Sequence, residues 1–333
     1  MTESRRLVIS MGDPTGIGPE VTIKALAQPQ LRRNLAPILV GDLAVFAETA
    51  TRLRANLRFV PWIPSAPLPR VGVPVRVIAQ LRQRDRRPGR PTVAGGRAAY
   101  AAILEAVRLI EAGAAHALVT APICKANLVA AGMGVGGHTE LLAELSKAGP
   151  VRMMMVGDQL RVALVTTHLA LAQVPSAVSR RRVYETIAVT HAALRGHFGI
   201  PQPRIAVAGL NPHAGEGGLF GTEETRAIAP AIRRATREGI AVDGPFAADS
   251  LFPQAVDGKF DAVVCMYHDQ GLGPFKLLHF ADGVNFTAGL PFVRTSPDHG
   301  TAHDIAGQGI ADPRSMVAAL TLAAHRGRVR RAA

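Results

Sequence analysis

Apolar residues along this chain gather in short β-branched runs separated by longer stretches with helical spacing. Seven runs read as strands: residues 7–11, 37–40, 75–79, 117–120, 162–166, 204–208 and 262–266. Most are apolar nearly end to end, which is the pattern of strands buried on both faces of a largely parallel sheet. Between them, residues 21–27, 96–112, 182–197, 223–238 and 314–325 repeat at helical period. The clearest is 96–112, where Tyr100, Ile103, Leu104, Val107 and Ile110 fall on one face. Asp312 is placed to cap the last helix, with Pro313 at its first helical position. Strands alternating with helices predict an α/β fold. Residues 61–74, rich in Pro, and 80–91, rich in Arg, read as surface connections, because the strand pattern resumes around them.

At 333 residues, with 48% hydrophobic and 19% charged, the chain has a globular balance and room for two domains or one large α/β unit. Its two cysteines, Cys124 and Cys265, form no CxxC, which excludes a disulfide scaffold. The opening MTESRRLVISMGDPTG reaches a Gly/Pro turn before any signal-like apolar core, so a cytoplasmic, reduced location is expected. The richest apolar stretch, 112–133, is broken by His116, Pro122 and Lys125, so no membrane span is expected. A formal charge of +13 raises nucleic-acid binding as an idea. The basic residues, however, are mostly scattered arginines with five lysines among them, and aromatics at 5% offer little for bases to stack on. No nucleic-acid partner is expected.

Three places carry candidate chemistry. The first strand runs into GDPTGIGPE (residues 12–20), whose glycines let backbone approach a ligand and whose following helix offers N–H groups to an anion. A literal GxGxxG at Gly132, Gly134 and Gly137 follows a helix-like run and opens no βαβ unit, so it is set aside. Three histidines, His168, His213 and His268, stand just after or in loops beyond strand patterns. The carboxyl ends of strands line the ligand crevice of an open α/β sheet, so these imidazoles can converge there, and three of them with an open position suit a catalytic divalent metal. Asp269 beside His268, and Glu216 near His213, are placed as acceptors for the imidazoles. Downstream, Lys276, Asn285 and Arg294 are a set suited to a phosphate and a carboxylate.

The stretch DHGTAHDIAGQGIADP (residues 298–313) looks like the adenosine loop of the isocitrate and isopropylmalate dehydrogenases, and GDPTGIGPE resembles their amino-terminal glycine turn. The ordered set GDPTGIGPE, GHTE, TTHLAL, LNPHAGEGGLFGTEE, MYHDQGLGPFK and GVNFTAGLPFVRTSPDHGTAHDIAG resembles the 4-hydroxythreonine-4-phosphate dehydrogenase family of vitamin B6 biosynthesis, over about residues 7–325. The resemblance implies an isocitrate dehydrogenase-like fold without a Rossmann domain: two intertwined α/β/α subdomains, 1–130 with 295–333 and 131–294, in a homodimer whose active sites use both chains. It places the divalent metal (zinc, magnesium or cobalt, one per subunit) on His168, His213 and His268. Substrate falls on His138, Thr139, Lys276, Asn285 and Arg294. NAD or NADP falls on Gly12, Asp13, Gly16, His299, Gly300, Thr301, Ala302, Asp304 and Asp312. Ala170, where a proline is common in the family, is a minor departure.

The implied reaction is metal-assisted oxidation of 4-phosphooxy-L-threonine, with decarboxylation of the 3-oxo acid to 3-amino-2-oxopropyl phosphate. Lys276, Asp269 and a metal-activated water all stand as candidates for the general base. Relatives acting on a phosphorylated D-threonate or a cis-diol carboxylate would carry the same motifs. A zinc hydrolase would share the three histidines but have no use for the adenosine-like loop.

Overall fold

The computed structural model describes residues 5–134 and 137–326, and the chain forms two compact units, 1–147 with 291–329 and 148–290. The basic tail after residue 326 and the centre of the GxGxxG stretch lie outside the described residues. The resemblance implied a boundary near 130. Helix His138–Leu145 packs on helix Val93–Glu111 and stays with the first unit.

The first unit contains strands β1 (Arg5–Ser10), β2 (Leu35–Gly41), β3 (Phe59–Pro61), β4 (Val73–Val77) and β5 (Ala117–Thr120). The second contains β6 (Arg152–Val156), β7 (Arg161–Leu164), β8 (Ile205–Ala208), β9 (Val242–Phe246), β10 (Ala262–Cys265) and β11 (Val284–Ala288). The chain then returns to the first unit with β12 (Val293–Pro297).

In the first unit the strands run β3-β4-β2-β1-β5-β12, parallel throughout. Central strands β1 and β5 are buried along the part that pairs, Leu7–Ser10 against Ala117–Thr120, as apolar runs packed on both faces must be. In the second unit the order is β11-β6-β7-β10-β8-β9. There β7, β10, β8 and β9 are parallel, while β11 with β6 and β6 with β7 are antiparallel. All seven strands expected from the apolar runs are present. Of the five not foreseen, β3 has three residues, β9, β11 and β12 are mixed in composition, and β6 (RMMMV) is an apolar run whose methionines lack β-branching.

The second unit's core lies on one face of β7, β8 and β10, where Val162, Leu164, Ala206, Ala208, Val263 and Cys265 alternate inward. Leu272 and Phe275 of helix His268–His279 close over them. Burial pushes the Cys265 thiol far above its ordinary range, so it acts as an apolar filler. The helix was not foreseen because it holds Pro274. It forms nonetheless, with Leu272 and Phe275 buried in that core. Phe275 is fully buried, so Phe275→Ala should cost about 3–5 kcal/mol in a denaturant titration. A loss under about 1 kcal/mol would show that the helix is held by other contacts.

Candidate functional site

In the second unit, the parallel register of β7, β10 and β8 brings the segments after their carboxyl ends to one edge of the sheet. His168 follows β7 and His268 opens the helix after β10. Their rings lie 5.7 Å apart, centroid to centroid. His268 Nδ1 is 2.7 Å from Asp269 Oδ1, which favours the tautomer with the hydrogen on Nδ1 and leaves Nε2 to accept a Lewis acid. Asp269 therefore sits where an orienting carboxylate is needed.

His213 stands apart. It lies in the segment Pro212–Gly218, where residues 213–217 all have positive φ, and its exposed ring is 6.2 Å from that of Phe220. Among the described residues no three His, Cys, Asp or Glu side chains of one chain come together as a metal site. The two neighbouring imidazoles fit two positions of a divalent ion's coordination, and the third must be supplied otherwise.

The loop bearing His213 is held by residues that sequence reasoning missed. Buried Glu224 accepts from the backbone N–H of Leu210 and Asn211 at 2.7 and 2.8 Å, and from Asn211 Nδ2 at 2.9 Å. Gly215 passes so close that a Cβ there would meet Glu224 Oε2 at 2.7 Å. Gln270 accepts from Met266 N at 2.7 Å and donates to Gly209 O at 2.6 Å, joining the end of β10 to the start of the loop. The acidic pair in FGTEE was the available signal. Lys276 is half-buried on the helix after β10, with its Nζ 5.9 Å from the Phe280 ring centroid. Asn285 on β11 keeps a buried Oδ1 that meets no hydrogen-bond partner among the described residues.

In the first unit, Arg294 on β12 is 2% exposed and donates from Nη2 to Thr120 Oγ1 at 2.6 Å. Burial pushes its guanidinium down to about 9, with Glu140 acting in the opposite sense. His138 opens helix His138–Leu145, followed by Thr139. Burial, then the charges of Arg294 and Lys125, hold its imidazole well below the usual histidine range, so it is neutral at pH 7.

The same unit joins the two motifs expected to serve the cofactor. Asp13 is 1% exposed, and its carboxylate accepts from Thr15 N, Thr15 Oγ1 and Asn127 Nδ2 at 2.9, 2.6 and 3.0 Å. Gly12 has φ +71°, and a Cβ there would meet Pro122 O at 2.5 Å. Gly16 abuts Thr301, whose carbonyl accepts from Ile17 N at 2.8 Å. Gly16 and Ile17 thus meet the 298–312 loop at Thr301, while Gly12 packs on Pro122 and Asp13 is held by Thr15 and Asn127. In that loop Gly300, Asp304 and Asp312 are exposed and His299, Thr301 and Ala302 half-buried, with Ala302 at φ +38°. Asp312 accepts from Arg314 N at 2.9 Å, the cap expected from sequence.

Glu20 and Lys24, also missed, tie down the far end of this loop. Glu20 accepts from Gly309 N and Ala311 N at 3.2 and 2.9 Å. Lys24 pairs with Glu20 at 2.9 Å and donates to the carbonyls of Gly309 and Ala311. Charge-assisted bonds of this kind are worth about 1.5–3 kcal/mol each. Glu20→Gln should therefore lower hydrogen-exchange protection of the Gly309 and Ala311 amides by about tenfold or more, leaving β1 and β5 protected. Equal protection in the variant would show that the loop holds itself.

Comparison with known proteins places these features. The family model described as pyridoxal phosphate biosynthetic protein PdxA matches residues 33–323. A 4-hydroxythreonine-4-phosphate dehydrogenase of Geobacter metallireducens is 53% identical over 98% of this chain and 96% of its own. The crystal structure of the 4-hydroxythreonine-4-phosphate dehydrogenase from Klebsiella pneumoniae superposes with TM-score 0.88 at 40% identity, covering 98% of this chain and 100% of that one. A terephthalate 1,2-cis-dihydrodiol dehydrogenase from Burkholderia xenovorans superposes with TM-score 0.67 at 31% identity, covering 96% and 98%. The fold is the one these dehydrogenases share, as the sequence motifs implied. Among the described residues no helix is long and apolar enough to cross a membrane.

Proposed function

The chain belongs to the family of the pyridoxal phosphate biosynthetic protein PdxA, and on that premise we propose that it oxidises 4-phosphooxy-L-threonine with NAD or NADP. The observation that carries this reading is the full-length similarity to 4-hydroxythreonine-4-phosphate dehydrogenases, with the residue type the motifs imply at each candidate metal and substrate position. Hydride leaves C3 of the substrate for the nicotinamide ring, and the C3 hydroxyl proton goes to a base. The product, 2-amino-3-oxo-4-phosphooxybutanoate, is a β-keto acid that loses carbon dioxide to give 3-amino-2-oxopropyl phosphate.

His168, His213 and His268 would hold a divalent ion, zinc, magnesium or cobalt, and when bound it supplies Lewis acidity that lowers the pKa of the C3 hydroxyl. Asp269 orients the His268 ring for that task. Lys276 and Asp269 are the side chains offered as proton acceptor. Arg294, Lys276 and Asn285 bind the anionic ends of the substrate, and His138 and Thr139 its polar groups. Arg294 suits this role because it is buried and still charged at neutral pH. The 298–312 loop binds the adenosine part of the dinucleotide, through its exposed Gly300 and Asp304.

The direct test is appearance of reduced nicotinamide on turnover of 4-phosphooxy-L-threonine, against a panel with phospho-D-threonate and a cis-diol carboxylate. Activity should vanish with a chelator and return with a divalent ion. A preference for the cis-diol would move the chain to the substrate class of the Burkholderia xenovorans neighbour, and full turnover without metal would remove the histidines from the chemistry.

The reading includes a homodimer with shared sites, in the cytoplasm. Two observations support sharing: among the described residues no third His, Cys, Asp or Glu joins His168 and His268 as a metal site, and Leu169, Leu171, Leu219, Phe220, Leu277 and Phe280 are exposed on the segments that carry these groups. His168→Ala, His213→Ala and His268→Ala, each inactive alone, can be mixed pairwise under demonstrated subunit exchange. The His213 variant should complement either of the others, restoring roughly a quarter of wild-type activity, since half the dimers are mixed and half their sites whole. His168→Ala with His268→Ala should stay inactive. Recovery in that pair would reassign the ligands, and no recovery in any pair would place all three in one chain.

A further inference from the structure

The segment APICKANL carries Lys125, a rare lysine in an arginine-rich chain, and the family motifs leave it without a role. We propose that Lys125 binds the phosphate of the substrate, in an anion site completed by His138 and the amino terminus of helix His138–Leu145. The proposal rests on the phosphorylated substrate argued above, adds Lys125 to its recognition and turns His138 toward the phosphate, leaving Thr139 for the polar groups.

Lys125 is the first residue of helix Lys125–Ala130 and is exposed, so a ligand can reach it. Its side chain lies across Gly137: a Cβ built there would meet Lys125 Cε at 3.4 Å and Nζ at 3.6 Å. Gly137 is the residue that precedes helix His138–Leu145, and no side chain caps that helix. Its first N–H groups therefore face the neighbourhood of the ammonium, with the positive end of the helix dipole behind them. Nε2 of His138, the first residue of that helix, is buried and has no hydrogen-bond partner among the described residues. A neutral imidazole can carry its hydrogen on Nε2 and donate it. Glu140 Oε2 approaches the same point, at 3.3 Å from that Cβ position, yet Lys125 forms neither ion pair nor hydrogen bond among the described residues.

An ammonium thus lies beside the start of an uncapped helix whose first residue, His138, feels its charge, with the Glu140 carboxylate alongside. A phosphate ester brings about two negative charges and three acceptor oxygens, which matches that set better than a carboxylate does. A lysine serves as a compact charge in such sites, where Arg294 behind it is held by Thr120.

The test compares Lys125→Met and Lys125→Arg with wild type. Lys125→Met should raise KM for 4-phosphooxy-L-threonine by about tenfold or more, keep KM for the dinucleotide within about twofold, and Lys125→Arg should recover part of the loss. Inorganic phosphate should raise the Tm of wild type but not of Lys125→Met, and acetate at equal ionic strength should do neither. The phosphate measurement needs no turnover, so failure to oxidise 4-phosphooxy-L-threonine would sink the functional reading alone. The proposal is overturned if wild type does not respond to phosphate, if acetate acts as strongly, or if Lys125→Met keeps both its substrate KM and its phosphate response.

Discussion

Parallel pairing of β10 with β7 on one side and β8 on the other is the constraint on which the second unit's chemistry depends. Val263 opposite Val162 and Val264 opposite Val207 fix the register, and the buried face of the same strands prevents slippage, because a one-residue shift would turn the core outward. With register fixed, the segments after the three strands must leave at one edge, which brings the His168 and His268 rings side by side although 100 residues separate them in sequence. Thr166 adds to this by donating to Met266 O at 2.7 Å, a bond between the two strand ends immediately before the histidines. Gln270 then links the end of β10 to Gly209, so three exits share one hydrogen-bonded frame.

The first unit solves a different problem, which is burying charge. Asp13, Glu20 and Arg294 are all under about a twentieth exposed, and an ionised side chain at such depth is tolerated only with partners. Asp13 spends its oxygens on Thr15 and Asn127, Glu20 on two loop amides and Lys24, and Arg294 donates to Thr120. The first network stays within the turn and Asn127, while the second ties down the far end of the 298–312 loop. The third leaves a cationic group among residues proposed to meet an anion, and its depressed proton affinity follows from the same burial.

Carboxylates that hold loops recur in both units. Glu224 does for the His213 loop what Glu20 does for the 298–312 loop: each lies buried and accepts two backbone N–H groups from a segment with no regular structure of its own. Irregular backbone cannot satisfy its own polar groups, and a charged acceptor fixes it more firmly than a neutral one would. Loops that carry candidate site residues are thereby held in place by buried carboxylates.

Local pattern determined much of this protein. Apolar runs mark all seven expected strands, helical spacing marks Val93–Glu111, and Asp312-Pro313 marks the start of the last helix. The motif set, through family resemblance, led to the fold and the reaction class, both supported by full-length relatives. Period and motif say nothing about which polar side chain meets which backbone amide, because partners such as Glu20 and Ala311 lie 291 residues apart. For the same reason GDPTGIGPE reads as a ligand turn, and only the structure shows that Gly12 packs against Pro122 and Gly16 against Thr301. Helix His268–His279 was hidden by Pro274, since local propensity counts the proline against it while burial of Leu272 and Phe275 does not appear in any window of sequence. Only the tertiary structure decided that His168 and His268 adjoin while, among the described residues, His213 does not join them in a metal site, because that outcome rests on strand register and on five consecutive left-handed residues, neither of which a sequence pattern encodes.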